Sequence, residues 1–256
     1  MNERKFFAAG MASLALLSFA TGCKNNSPSD SPPLQKSSTV LMKTAAKVQP
    51  STRLNDIPVK GGLLNIQSAL LNIEKFQIEQ NSGFDGDQEG ERQDDDNSSD
   101  NEHNAPDITV AGPFSVDISK GKALLDTVAV YPGSFKDVKL NFSRNVAAPF
   151  SGKSLVISGQ FTPTNGTAVP FMIRSEFAKE IQSQIVGNGI MVPQNAKVPV
   201  VVNFDLQAWF SSMDFTSATL VNGKILIDNA NNAGLLSAFE ANLTKFVEIE
   251  EDRDGD

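Results

Sequence analysis

The sequence predicts a mainly β fold: an antiparallel β-sandwich with one C-terminal α-helix. Three observations predict it. Short runs alternate apolar and polar residues from Phe114 onward. Turn pairs separate those runs, at Pro132-Gly133, Asn165-Gly166 and Asn222-Gly223. A single stretch near the end carries apolar residues at helical spacing. Alternation of this kind arises when one sheet face is buried and the other wetted, whereas parallel sheets read as continuous apolar runs. About nine short strands with turns between them point to an immunoglobulin-like or related sandwich.

The elements follow in order. Gly61-Gly62 opens the predicted domain, 61–256. In Leu63–Glu79 the apolar residues Leu64, Ile66 and Leu70 give way to Ile73, Phe76 and Ile78. The parity changes partway, which predicts a bulge or bend between strand segments; a helix is the competing reading. An acidic insertion, 81–107, separates this from Phe114, Val116 and Ile118, which alternate cleanly. Leu124–Tyr131 is strand-like, and Val138, Leu140 and Phe142 form another strand. Leu155, Ile157 and Phe161 share a face, and Asn165-Gly166 turns the chain into Val169, Phe171, Ile173 and Phe177. Val198, Val200, Val202, Phe204 and Leu206 repeat the pattern. Asn222-Gly223 marks a last hairpin. Leu235, Leu236, Phe239, Leu243 and Phe246 form the helical stripe, with Asn231 or Asn232 as its cap.

The first residues read differently. Arg4 and Lys5 precede an apolar run from Phe6 to Phe19, then Ala20-Thr21-Gly22-Cys23. That is a secretory signal peptide, 1–22, ending in small residues before a cysteine. It resembles the lipobox of bacterial lipoproteins, with Ala20 where leucine is usual. The resemblance implies lipidation of Cys23, the chain's one cysteine, and Lys24 after it implies the outer membrane. The run is too short for a comfortable span of about 20 apolar residues. Residues 23–60, rich in Asn, Ser and Pro at their start, are expected to form a disordered tether.

Composition narrows the function. The formal net charge is −8. Removing 1–22, with Glu3, Arg4 and Lys5, leaves the mature chain near −9. Such a surface offers no basic footprint for nucleic acid. One cysteine excludes an internal disulfide, and one histidine, His103, removes most zinc-type sites. A Ser-His-Asp triad would need His103, which sits in the acidic insertion. Glycine patterns for nucleotides and nucleophile elbows are lacking.

The segments GPFSVDIS, KSLVISGQFT, NGTAVPF and VNFDLQAWF, with the closing helix and EDRDGD, resemble a group of uncharacterised bacterial lipoproteins. Their domain is catalogued as one of unknown function. The likeness covers roughly residues 62–256 and implies a β-sandwich on a lipid anchor with an Asp-rich loop. It implies no catalytic residues.

Two constellations carry chemistry. Calcium takes six to eight oxygens, which a loop supplies with carboxylates at alternate positions and glycine at the turn. Asp85, Asp87 and Glu89 have that spacing, Gly90 follows, and Asp96 takes the place of a closing acid. Asp252, Asp254 and Asp256 open a second loop of this kind. Dense acidic runs are more often solvated charge. Trp209-Phe210 offers an aromatic platform for sugar or peptide, against the reading that Trp209 closes the core. The expected role is a non-enzymatic binding or structural module of the envelope, possible partners being an envelope protein or polysaccharide, with Ca2+ as the one cofactor considered. A hydrolase acting on envelope or extracellular polymer is the competing class, since paired carboxylates are a spatial fact.

Overall fold

The computed structural model describes residues 36–47, 56–80, 107–185, 187, 189–245 and 247–252. The strands are β1 (Ser38–Lys47), β2 (Ile57–Val59), β3 (Gly62–Gln80), β4 (Ile108–Asp117), β5 (Ala123–Val130), β6 (Gly133–Phe142) and β7 (Leu155–Pro163). They continue with β8 (Val169–Ser175), β9 (Glu180–Gln184), β10 (Ile190–Val192), β11 (Lys197–Asp205), β12 (Leu220–Val221), β13 (Lys224–Ile227) and β14 (Val247–Glu251). Two helices are present among the described residues, α1 (Leu206–Phe210) and α2 (Ala233–Leu243). The fold is therefore mainly β, as the alternation predicts.

The strands form two sheets. The smaller runs β14-β11-β1-β5. The larger runs β10-β6-β3-β7-β8-β13-β12, with β2 and β4 also on β3, and β9 on β6. Both are mixed, which corrects the antiparallel expectation: β1 lies parallel to β11, and β8 parallel to β13. The burial of β11 accords with its parallel neighbour. Val200 and Val202 face inward, yet Val201 and Asn203 on the other face are only 2% and 8% exposed. Burial on both faces is the condition under which parallel pairing is usual.

A second correction concerns the tether. Ser38–Lys47 and Ile57–Val59 lie in the segment expected to be disordered, and both are strands. β1 occupies the interior of the smaller sheet, between β11 and β5. Val40 and Met42 are buried from it. Alternation exists in STVLMKTAAK, but Ser38 and Thr44 fill inward places with polar side chains.

β3 organises the larger sheet. Its first half pairs with β2 and β7, and its second half with β4 and β6. The register shifts between Ile66 and Ser68 and again between Ile73 and Lys75. A third shift falls between Glu79 and Gln80. Several irregularities thus replace the single bend expected, and the first two each restore an apolar residue to the inner face. Asp117 secures the first: its carboxylate accepts from the Ala69 N–H at 3.1 Å and the Ser68 hydroxyl at 3.3 Å. Both predicted Asn-Gly hairpins form, joining β7 to β8 and β12 to β13. At the second, Asn222 and Gly223 both take positive φ, 51° and 76°, as a type I′ turn requires.

Helix α2 buries Leu236, Phe239 and Leu243, the predicted stripe; Phe246 lies outside the described residues. Asn232 holds the cap position without capping. Its side chain instead bonds the Thr219 N–H at 2.8 Å and the Leu226 carbonyl at 2.7 Å, tying the helix to β13. The helix does not close the fold, because β14 follows it and edges the smaller sheet. Residues from both sheets and both helices enter one apolar cluster. Through it runs a chain of rings: Phe161, Phe215, Phe210, Phe239, Trp209, Phe204 and Phe142.

Candidate functional site

Of the expected calcium ligands, only Asp252 falls among the described residues. Cys23, Asp85, Asp87, Glu89, Asp96, Asp254 and Asp256 lie outside them, as does His103. Asp252 follows β14, and its N–H donates to the Pro199 carbonyl at 2.9 Å. This directs the carboxylate across β11, over the outward face of the smaller sheet. There Lys43 Nζ meets one oxygen at 3.0 Å and Lys122 Nζ the other at 2.6 Å. The side chain is 3% exposed. Hydrogen bonding to Lys122 is the main cause holding its pKa below the usual carboxylate range; burial opposes this, and Lys43 adds to it. Both oxygens are thus satisfied by ammonium groups where a calcium ion would need them. The structure places Asp252, expected as a metal ligand, in a buried ion cluster with Lys43 and Lys122.

The same face carries further charge. Asn203 Nδ2 donates to Glu250 Oε1 at 2.6 Å, and Lys47 pairs with Glu248. Together these bonds cross β1, β11 and β14.

Trp209 sits on α1, which Asp205 caps by accepting from the Ala208 N–H at 2.9 Å. The side chain is 0% exposed. Its ring lies 5.5 Å from that of Phe204 and 6.0 Å from that of Phe239. An aromatic platform must present a face to its ligand, so the ligand-binding reading of Trp209 is corrected to core packing. Asn242 of α2 fastens this helix, donating to the Trp209 carbonyl at 3.2 Å and to Ser212 Oγ at 2.8 Å.

A hydrolytic carboxylate pair needs one member held protonated, with a raised pKa. Every described carboxylate whose pKa moves is instead lowered. For Asp117 and Asp228, burial pushes upward but hydrogen bonds prevail, from Ser119 and Ala69 and from Asn231 and Ala230 respectively. Lys153, then Arg144, lowers Glu176. Lys60 and Thr216 bring Asp214 down to about 2. Among the described residues no three His, Cys, Asp or Glu side chains gather as a metal site.

Described residues also form two surface grooves. One, of about 320 Å³, lies on the larger sheet and is lined by Asp56, Leu63, Asn65, Gln67, Gln160 and Thr162. Asn65 stands directly opposite Gln160, and Leu63 opposite Thr162. Cross-strand register thus aligns carboxamides and a hydroxyl beside the exposed Leu63. Alternation sets Asn65, Gln67, Gln160 and Thr162 opposite the predicted inner faces, Asp56 falls in the expected tether, and alternation carries no signal that separates a wetted face from a ligand groove. The other, about 370 Å³, is lined by Lys136, Asp137, Gln184, Ile185, Gly187 and Gly189.

No family model, curated protein or solved structure matches the chain. No helix among the described residues is long and apolar enough to cross a membrane.

Proposed function

We propose that this chain is a lipid-anchored module of the bacterial outer membrane, binding or structural in role and not an enzyme. The observation that carries the proposal is the lipobox-like ending of the leader at Cys23, thirteen positions before the described domain begins at Lys36. The uncharacterised lipoprotein family is the group to which we assign it. We take the two sheets to pack as a β-sandwich: Val40 and Val200 of one, with Ile78, Phe135 and Val138 of the other, line one small apolar void. The amide-lined groove is the surface we assign to a polar ligand such as a polysaccharide, because paired donors and acceptors suit hydroxyl groups. Calcium stabilisation, with both Asp252 oxygens on lysines, is assigned to Asp85, Asp87, Glu89 and Asp96, with Asp254 and Asp256 as the second set.

Intact mass of the protein from a membrane fraction tests the anchor. The expected species lacks residues 1–22 and carries acyl mass on Cys23, while Cys23→Ser leaves the membrane. An unprocessed or unacylated chain in that fraction would overturn the proposal.

A further inference from the structure

The tether enters the domain at one definable end. Ser38 opposes Val130 of β5, its hydroxyl donates to the Pro193 carbonyl at 2.7 Å, and the Thr39 N–H donates to the Ala196 carbonyl at 2.9 Å. Val192 opposes Gly133, so the start of β6 joins the same end. Gln80, the last residue of β3, opposes Phe135 there. The first residue of β3, Gly62, opposes Pro163 at the far end, next to the Asn165-Gly166 turn.

We infer that the end built from Lys36, Tyr131, Lys136, Met191 and Lys197 is the surface that faces the bilayer. This rests on the anchoring of Cys23 proposed above. The argument is one of reach. Thirteen steps from Cys23 to Lys36 span at most about 47 Å at roughly 3.6 Å each. The 19 residues of β3 run about 60 Å along their contour. An inverted posture would ask the tether to climb most of the domain without slack, whereas the near end meets the membrane at any extension. The chemistry of that end agrees. Lys36, Lys136 and Lys197 are exposed and Met191 is 54% exposed. Lys36 Nζ lies 5.7 Å from the centre of the Tyr131 ring, the chain's one tyrosine. Aromatic rings with a polar tip and lysines beside phosphate suit a lipid interface. Residues 36–38, 130–136 and 189–197 contain no Asp or Glu. Glu79 and Asp137, opposed across β3 and β6, lie next to this end, and their charge competes with the lysines for anionic lipid. Tether length therefore sets the posture.

Acylated protein in vesicles of phosphatidylethanolamine with a minority of phosphatidylglycerol provides the test. The thiol of Cys23 is consumed by lipid, so Met191→Cys, Lys197→Cys and Asn165→Cys each give one labelling site. Labels at 191 and 197 are expected to be quenched several-fold more by nitroxide headgroup lipid than a label at 165. Equal quenching, or stronger quenching at 165, in protein that floats with vesicles and carries acyl mass overturns the orientation alone. Protein that neither floats nor carries acyl mass overturns the anchoring and the orientation together.

Discussion

Asp252 and Lys43 meet at 3.0 Å across 209 positions of chain. The pair joins the first strand of the fold to the residue that follows the last, and Lys122 closes it from the start of β5. Asp252→Asn keeps the shape and removes the charge that both ammonium groups meet. A fully buried pair broken this way costs about 3–5 kcal/mol, but Lys122 is partly exposed and can turn to water, so about 1–3 kcal/mol is expected. Urea unfolding measures it.

The pH dependence follows from the same group. Its pKa is lowered from the ordinary 3.8, so its stabilisation is present above that value and is lost as pH falls through the folded pKa. Asp117, Glu176, Asp214 and Asp228 are lowered too, so the wild type should lose stability steadily from about pH 5 downward. The Asp252→Asn variant should show a shallower slope over that range. Parallel curves for the two proteins would remove Asp252 from the account.

The start of the domain gives the next prediction. A chain beginning at Gly61, the boundary that composition suggests, lacks β1 and β2. Without β1, β11 and β5 lose their common neighbour and Val200 and Val202 lose the strand beside them. Such a chain should be aggregated or unfolded by circular dichroism, whereas one beginning at Lys24 should unfold cooperatively. A folded 61–256 fragment would show that β1 is dispensable.

That boundary marks where sequence reading fails, and the reason is physical. Strands with strong alternation, such as Leu155–Pro163, announce themselves through inward Leu155, Ile157 and Phe161. β1 places Ser38 and Thr44 inward and Lys43 and Lys47 outward, and it follows a run of Asn, Ser and Pro that dominates any composition window. β14 was hidden likewise: in VEIEE the inward Val247 and Ile249 sit inside an acidic run that reads as a loop. Parallel partners were illegible because register between distant segments leaves no local trace. That β3 bends was legible in its shifting parity, but the number of its bulges was not. Asp252 shows the limit at the level of a site: the spacing of acids is visible in sequence, but Lys43 and Lys122 reach it only through the fold.

Trp209 supplies a sharp measurement because it is the chain's one tryptophan. Buried against Phe204 and Phe239, it should emit at short wavelength and shift red on unfolding. Trp209→Ala should cost about 3–5 kcal/mol, and Trp209→Phe less, since a smaller ring leaves a smaller cavity. A Trp209→Ala variant of wild-type stability would contradict the core role assigned to it.

The calcium proposal is tested first on the acidic segment. The 26 residues 81–106 hold nine carboxylates and Arg92 as the one cation, so the whole formal charge of −8 resides there and the remaining cations and anions balance. Like charges at this density raise one another's pKa and favour a divalent counterion. An ion bound to the native state raises the unfolding midpoint by mass action, and extracellular modules bind calcium at about 0.1–1 mM. The midpoint of the chain beginning at Lys24 should therefore rise with millimolar calcium relative to chelator. Replacing Asp85 and Asp87 with Asn should abolish the rise, whereas Asp252→Asn, with its carboxylate already held by lysines, should lower the midpoint equally with and without calcium. A flat response of the wild type across several millimolar calcium would reduce the segment to solvated charge. A rise that survives the double replacement would move the ion to other ligands.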